Sequence, residues 1–228
     1  MVRLVLFDID GTLIRTNGAG VQAFARAFAA EFGVPDATDG IRFAGRTDVS
    51  LAREMFTNCR VEATPANFRR FFASYVVWLG QLMAASDGHT CPGVREFLRG
   101  LARLPKPPLV GLLTGNIRRG AEIKLCHFEL WETFTTGAFA DDHEDRNQIA
   151  VVARDRARQL LDGPLRGEEI VVVGDTPHDV RCGRAIGAKV LAVTTGGATP
   201  ADLREYQPDW LVGTLQEVTA EEVCRPER

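Results

Sequence analysis

The sequence predicts an α/β fold: a parallel sheet with helices on both faces, and a small helical insert between its first two main strands. Three observations carry this prediction. Leu4 to Phe7, Leu109 to Leu113 and Ile170 to Val173 are short, continuous apolar runs, the pattern of strands buried on both faces. From Pro92 onward such runs alternate with helical patterns, which is how a parallel sheet with crossover helices is written. Between the first run and the second, the stretch from about 16 to 90 carries only helical periodicity, too much chain for a simple crossover. The implied division is a core of residues 1–15 and 92–228 and an insert of residues 16–91.

Within the insert, Val21, Phe24, Phe28 and Phe32 recur at helical spacing, with Asn17 available to cap the start and Gly33 and Pro35 to mark the stop. Asp48 is placed to cap a second helix carrying Leu51, Met55 and Phe56. Thr64 followed by Pro65 opens a third, whose stripe runs through Phe68, Phe71, Phe72, Tyr75, Val76, Leu79, Leu82 and Met83. No part of the insert reads as a strand. In the core, Pro92 starts a helix with Val94, Phe97, Leu98 and Leu101, and the Pro-rich stretch 105–108 ends it. A helix with Ala121, Leu125 and Phe128 leads to a weak strand at Phe134 to Thr136, and a further helix holds Val152, Ala153, Leu160 and Leu161. Val190 to Val193 and Trp210 to Val212 complete the strands.

Composition narrows the function. Twenty-seven basic residues against thirty acidic ones give a net charge of −3 with no long Lys/Arg block, so nothing presents a nucleic-acid footprint. No apolar run approaches the ~20 residues of a membrane span. The first strand begins within four residues of Met1, which leaves no room for a leader and makes the cytoplasm the expected address. Five scattered cysteines, Cys59, Cys91, Cys126, Cys182 and Cys224, show neither C-x-x-C pairs nor zinc spacing and read as reduced thiols.

The chemistry lies where the apolar runs stop. The first ends in Asp8-Ile9-Asp10-Gly11, the second in Thr114-Gly115-Asn116, the third in Gly174-Asp175-Thr176-Pro177-His178-Asp179. In a parallel sheet of this kind ligands bind beyond the carboxyl ends of the strands. Asp8 and Asp10 stand two apart, on one side of a period-two strand, and Gly11 allows a sharp turn away. Two carboxylates 4 Å apart repel by about 4 kcal/mol at an effective dielectric near 20, unless a cation is shared or one acid is protonated. A calcium loop is excluded, because the glycine falls at the wrong position and Ala19 occupies the place of the closing glutamate. A simple polar turn is the ordinary alternative for an Asp-Gly pair.

Together, and in this order, D-I-D-G-T, L-T-G-N and G-D-T-P-H-D with a helical insert after the first resemble the haloacid dehalogenase superfamily of phosphohydrolases. The resemblance covers most of the chain and is nearest to the capped, phosphoglycolate phosphatase-like group. It implies a Rossmann-like core with a helical cap, and magnesium-dependent hydrolysis of a small phosphorylated metabolite through an aspartyl-phosphate, with a phosphoglycolate-like substrate possible. By the same resemblance Asp8 is the nucleophile and Asp10 the general acid and base. The Asp8 carboxylate, the main-chain oxygen of Asp10, Asp175 and Asp179 hold Mg2+, Asp179 directly or through water; capping the helix that follows is the alternative for Asp179, compatible with the metal role, which is preferred. Thr114, with the N–H groups of Gly115 and Asn116, binds phosphoryl oxygens, although Thr and Asn are also ordinary caps.

The family also requires a cation beside the phosphate, usually a lysine before the third strong strand. Here Arg146, in D-H-E-D-R-N, fits by spacing and is preferred, with Lys124 the alternative, set aside as sitting on a helix heading away from the tips. The acidic run Asp141 to Asp145 with His143 reads as a solvated loop, and His178 as exposed. Arg46, in the polar break Gly45 to Asp48, is a candidate for a substrate carboxylate or second phosphate, or else a surface arginine at a helix start. A phosphomutase of the same fold and a non-catalytic phosphate-binding regulatory module are the rivals to a phosphatase, with a dehalogenase less favoured. The three serines, Ser50, Ser74 and Ser86, lie in no G-x-S-x-G, and no G-x-x-x-x-G-K-[ST] loop exists.

Overall fold

The computed structural model describes residues 1–225. In chain order the elements are β1 (Leu4–Phe7), β2 (Ile14–Arg15), α1 (Ala19–Phe32), α2 (Asp48–Asn58), α3 (Pro65–Ala84), β3 (His89–Thr90), α4 (Val94–Arg103), β4 (Leu109–Leu113), α5 (Arg118–His127), β5 (Thr136–Ala138), α6 (Arg146–Leu160), β6 (Ile170–Gly174), α7 (Pro177–Ala185), β7 (Lys189–Val193), α8 (Pro200–Arg204), β8 (Trp210–Val212) and α9 (Ala220–Cys224).

Six strands form one sheet in the order β5-β4-β1-β6-β7-β8, and every neighbouring pair is parallel. Successive residues of β1 point to opposite faces and show what covers each. Val5 and Phe7 join the apolar cluster that includes Phe97, Ala121, Leu125 and Val223 from α4, α5 and α9. Leu4 and Leu6 join a second cluster with Ile149 and Ala153 of α6 and Cys182 of α7. This is the doubly covered, Rossmann-like α/β sheet expected from the continuous apolar runs.

The register places the site. Phe7, the last residue of β1, lies opposite Leu112 of β4 and Val173 of β6, so the three strands end within one residue of the same level. Asp8, Thr114 and Asp175 therefore emerge together, and β1 sits where the chain crosses from one side of the sheet to the other, the place where such sheets form a crevice.

The helices α1 to α3 lie between β2 and β3 and pack through aromatic rings. Phe24 meets Tyr75 at 4.6 Å and Phe71 at 5.1 Å between centroids, and Phe28 meets Phe56 at 5.5 Å. Thr64 caps α3 as its Thr-Pro start predicts, and the Gly33 N–H closes α1 on the Ala29 carbonyl. Two expected caps are corrected. Asn17 does not cap α1: it takes a left-handed backbone (φ 49°) and its amide donates to Asp87, while Gly18 holds the cap position. Asp48 does not cap α2; Thr47 does, accepting the Ser50 N–H at 3.2 Å, and Asp48 is the first helical residue.

One element escaped the sequence reading. β2 and β3 pair antiparallel, Ile14 with Thr90 and Arg15 with His89, forming a ribbon where the chain leaves the sheet and returns. The weak strand at 134–136 is displaced to Thr136–Ala138, and the helix opened by Pro92 begins at Val94 after Gly93, whose φ of 85° makes the turn. Leu160 is exposed; the inward face of α6 is Ile149, Ala150, Ala153 and Ala157. All five cysteines are free, three of them buried. Among the described residues no helix is long and apolar enough to cross a membrane.

Candidate active site

Beyond the strand tips lies a cavity of about 460 Å³ whose lining includes Asp8, Asp10, Thr114, Gly115, Asn116, Lys124, Arg146 and Asp175 from the sheet side, and Arg46 and Asp48 from the α1–α2 connection and α2. Asp8, Asp175 and Asp179 are buried, and one carboxylate oxygen of each lies within 4.8 Å of the others. Gly11 belongs to this packing: with φ 85°, it brings the turn so close that a Cβ would stand 2.6 Å from the Asp175 Oδ2. The Thr12 hydroxyl donates to Asp175 at 3.1 Å.

Arg146 is buried at the start of α6 and reaches into this cluster. Its guanidinium bonds Asp179, lies 3.5 Å from Asp8 and donates to the Gly45 carbonyl at 3.3 Å. Its Nε is buried with no partner among the described residues. Burial opposes its charge, but Asp179 and Asp8 outweigh that and push its pKa up. Burial raises the Asp8 carboxyl to about 7, with Arg146 working the other way and Asp179 and Asp10 adding to the rise. Asp175 is raised well above the usual range by the same burial and by Asp179 and Asp8.

Asp179 serves two neighbours at once. Its Oδ2 accepts from the Thr176 N–H at 2.9 Å and the Thr176 hydroxyl at 2.7 Å, capping α7, while its Oδ1 faces Arg146. With all three carboxylates ionised, one guanidinium would leave two negative charges for a divalent cation to balance. An all-oxygen donor set of this composition suits a hard cation such as magnesium.

The second cation is also present, contrary to the reason for setting it aside. Lys124 does not point away from the tips: its Nζ lies 2.9 and 2.7 Å from the two Asp10 carboxylate oxygens and 2.6 Å from the Asn116 amide oxygen. Asn116 donates to Asp10 at 2.8 Å and to the Thr114 hydroxyl oxygen at 2.8 Å. Two cation-acid groups thus stand side by side, Arg146 with Asp8 and Asp179, Lys124 with Asp10.

Asp48 was missed as a site residue. It is buried at the cavity, its backbone N–H donates to the Gly115 carbonyl at 2.7 Å, and its Oδ2 accepts the Ile117 N–H at 2.8 Å. Burial raises its carboxyl to about 7, with Lys124 opposing. The adjoining Thr47 hydroxyl donates to the Glu144 carbonyl at 2.9 Å, and Arg53 pairs with the Glu144 carboxylate at 2.9 Å. These contacts seat the α1–α2 connection on the strand-tip loops. Arg46 lines the cavity, but its guanidinium is turned to Glu54 and to the Ser50 carbonyl. His178 is half-buried against Gly45, where a Cβ would stand 2.6 Å from its ring. His143 accepts the Asp145 N–H at 2.8 Å, local to the loop that caps α6.

Comparison with known proteins places this geometry. A family model described as haloacid dehalogenase-like hydrolase matches residues 5–193. Pyrophosphatase PpaX of Bacillus cereus (strain B4264) is 28% identical over 220 residues, covering 95% of this chain and 94% of that protein. The bifunctional riboflavin kinase/FMN phosphatase of Arabidopsis thaliana is 26% identical over 195 residues; the match covers 83% of this chain and 48% of that protein, so the chain spans about half its length. Among solved structures, CbbY from Rhodobacter sphaeroides, crystallised as a mutant with xylulose-(1,5)bisphosphate, has a TM-score of 0.77 at 18% identity, covering 99% of this chain and 100% of that one. With the family model running from β1 to the end of β7, through all three strand tips, the chain belongs to the haloacid dehalogenase-like hydrolases.

Proposed function

We propose that this phosphoric monoester hydrolase cleaves a small phosphorylated metabolite through an aspartyl-phosphate on Asp8, with magnesium as its cofactor. The observation that carries the reading is the meeting of Asp8, Asp175 and Asp179 within 4.8 Å beside Arg146, at the carboxyl end of adjacent parallel strands. Unaided, phosphate monoesters hydrolyse extremely slowly, so a site must position a nucleophile and offset negative charge at once. The Asp8 carboxylate oxygen attacks phosphorus as the ester P–O bond breaks, and Asp10 gives its proton to the departing oxygen. Asp10 then takes a proton from water, the water oxygen attacks phosphorus, and inorganic phosphate leaves with Asp8 restored.

Thr114 Oγ1 accepts from Asn116, which leaves its own O–H to donate to a phosphoryl oxygen. The Gly115 N–H would assist at the same phosphoryl group, the Asn116 N–H being given to Thr114 Oγ1, and Arg146 supplies a fixed positive charge next to the nucleophile. Lys124 and Asn116 hold the Asp10 carboxylate in place. The carboxylates of Asp8, Asp175 and Asp179 and the main-chain oxygen of Asp10 would hold magnesium, which supplies charge neutralisation for the crowded acids and the phosphoryl oxygens. Residues 16–91 act as a cap on a core of residues 1–15 and 92–228, limiting water at the site. Arg46 remains in reach of the cavity, but its pairing with Glu54 does not favour it as a substrate ligand.

The experiment is phosphate release from a panel of phosphorylated metabolites with magnesium. Turnover that disappears on chelation and in Asp8→Asn supports the reading; turnover indifferent to both contradicts it. A phosphomutase would instead convert substrate without releasing phosphate in proportion.

A further inference from the structure

Resting on the phosphatase reading above, we infer that the substrate is a phosphate monoester whose alcohol part is uncharged and carries an apolar body, rather than one bearing a second phosphate or a carboxylate. The phosphoryl end of the cavity is polar, whereas α1 to α3 and the α1–α2 connection add an apolar wall of Val21, Phe24, Phe43, Leu51 and Tyr75 beside Arg46 and Asp48. Three of those rings brace one another. Phe24 meets Phe43 at 5.4 Å and 84°, and Tyr75 at 4.6 Å and 67°, both edge-on, so the wall is held fixed by the core behind it.

A second anionic group would need a cation to receive it, because an unpaired charge in such a cavity is costly. Four basic side chains line the cavity among the described residues; three of them face acidic groups, and Arg15 is held by backbone carbonyls. Lys124 serves Asp10 and Asn116, and Arg146 serves Asp8 and Asp179. Arg46 is neutralised by Glu54 and also bonds the Ser50 carbonyl. Arg15 donates from Nε to the Thr195 carbonyl at 2.7 Å and from Nη2 to the Gly196 carbonyl at 2.8 Å. An uncharged alcohol escapes that penalty, and an apolar body gains from the aromatic wall. The products are that alcohol, leaving with the proton from Asp10, and inorganic phosphate.

The test compares kcat/KM for benzyl phosphate, ethyl phosphate, phosphoglycolate and pyrophosphate with magnesium, in wild type and in Glu54→Gln. Benzyl phosphate and phosphoglycolate both lose a primary alkoxide, so their difference reports the pocket and not the leaving group. Benzyl phosphate should exceed both ethyl phosphate and phosphoglycolate by at least about tenfold. Glu54 lies outside the catalytic machinery, and Glu54→Gln releases Arg46 from its neutralising partner. Phosphoglycolate should then improve about threefold relative to benzyl phosphate, with benzyl phosphate itself unmoved. Phosphoglycolate or pyrophosphate turned over as well as benzyl phosphate by wild type, or a ratio that Glu54→Gln leaves unchanged, overturns the inference. In those cases turnover that still vanishes in Asp8→Asn keeps the phosphatase reading standing. No Asp8-dependent turnover of any ester overturns both.

Discussion

Lys124 Nζ lies 2.7 and 2.9 Å from the two carboxylate oxygens of Asp10, and 2.6 Å from the Asn116 amide oxygen. The ammonium is buried while the carboxylate it holds faces the cavity, so in the proposed mechanism a fixed cation would position the proton carrier. Replacing Lys124 with Met keeps most of the volume and removes the charge. We expect kcat to fall by about 10²-fold or more. Steady-state kinetics with a matched thermal melt separates this from unfolding, and unchanged kcat in a folded variant would remove Lys124 from the site's chemistry.

Asp48 gives a pH-dependent stability prediction with a definite sign. Its carboxyl rises from the usual 3.8 to about 7, chiefly through burial, so between those values the folded protein keeps a proton that the unfolded chain has lost. Stability attributable to Asp48 is therefore full below about pH 4, falls as pH rises, and is lost above about 7. Asp48→Asn has no charge to bury and retains an oxygen for the Ile117 N–H. The variant should gain on wild type as pH rises, by up to about 4 kcal/mol across the window. Denaturant melts of both proteins at pH 5 and 8 check it; a difference independent of pH would contradict the assignment.

Gly115 is the close approach between the α1–α2 connection and the strand tips. A Cβ there would collide with the Arg46 carbonyl oxygen and stand 3.1 Å from the Thr47 Cα. Gly115→Ala should cost about 1 to 3 kcal/mol in overpacking and displace the Asp48 contact to the Gly115 carbonyl. Chemical denaturation measures the first, and a rise in KM the second. A variant as stable and as active as wild type would show that this contact is not maintained.

Arg146→Lys keeps a positive charge but cannot reproduce the fork that reaches Asp8, Asp179 and the Gly45 carbonyl together. Activity should drop at least about tenfold while magnesium dependence persists. Full activity in the lysine variant would mean that charge alone is needed at this position.

The sheet was legible because its strands are continuous apolar runs and each ends in a polar tip; Asp8, Thr114 and Asp175 emerge at one level for that reason. What was not legible has physical causes. A two-residue ribbon such as Ile14–Arg15 with His89–Thr90 contains no period to detect. Lys124 is hard to place from sequence because distance along a helix is not distance from the tip. Helical side chains lean toward the N-terminus, and a long lysine six residues into α5 reaches back to Asp10. Asp48 looked like a cap because Asp before an apolar pattern usually is one, and only the tertiary contact with Ile117 distinguishes a buried carboxylate from a solvated one. Asn17 failed as a cap for a similar reason, its side chain being drawn to Asp87 across the turn.

The central claim is that Asp8 carries the phosphoryl group. The direct measurement is acid quench of the enzyme during turnover of a hydrolysed ester with magnesium, followed by peptide mass spectrometry. A phosphoryl adduct on Asp8, formed and lost at rates consistent with turnover and absent from Asp8→Asn, is the predicted result. An unmodified Asp8 during active turnover, or an adduct on another residue, would contradict it.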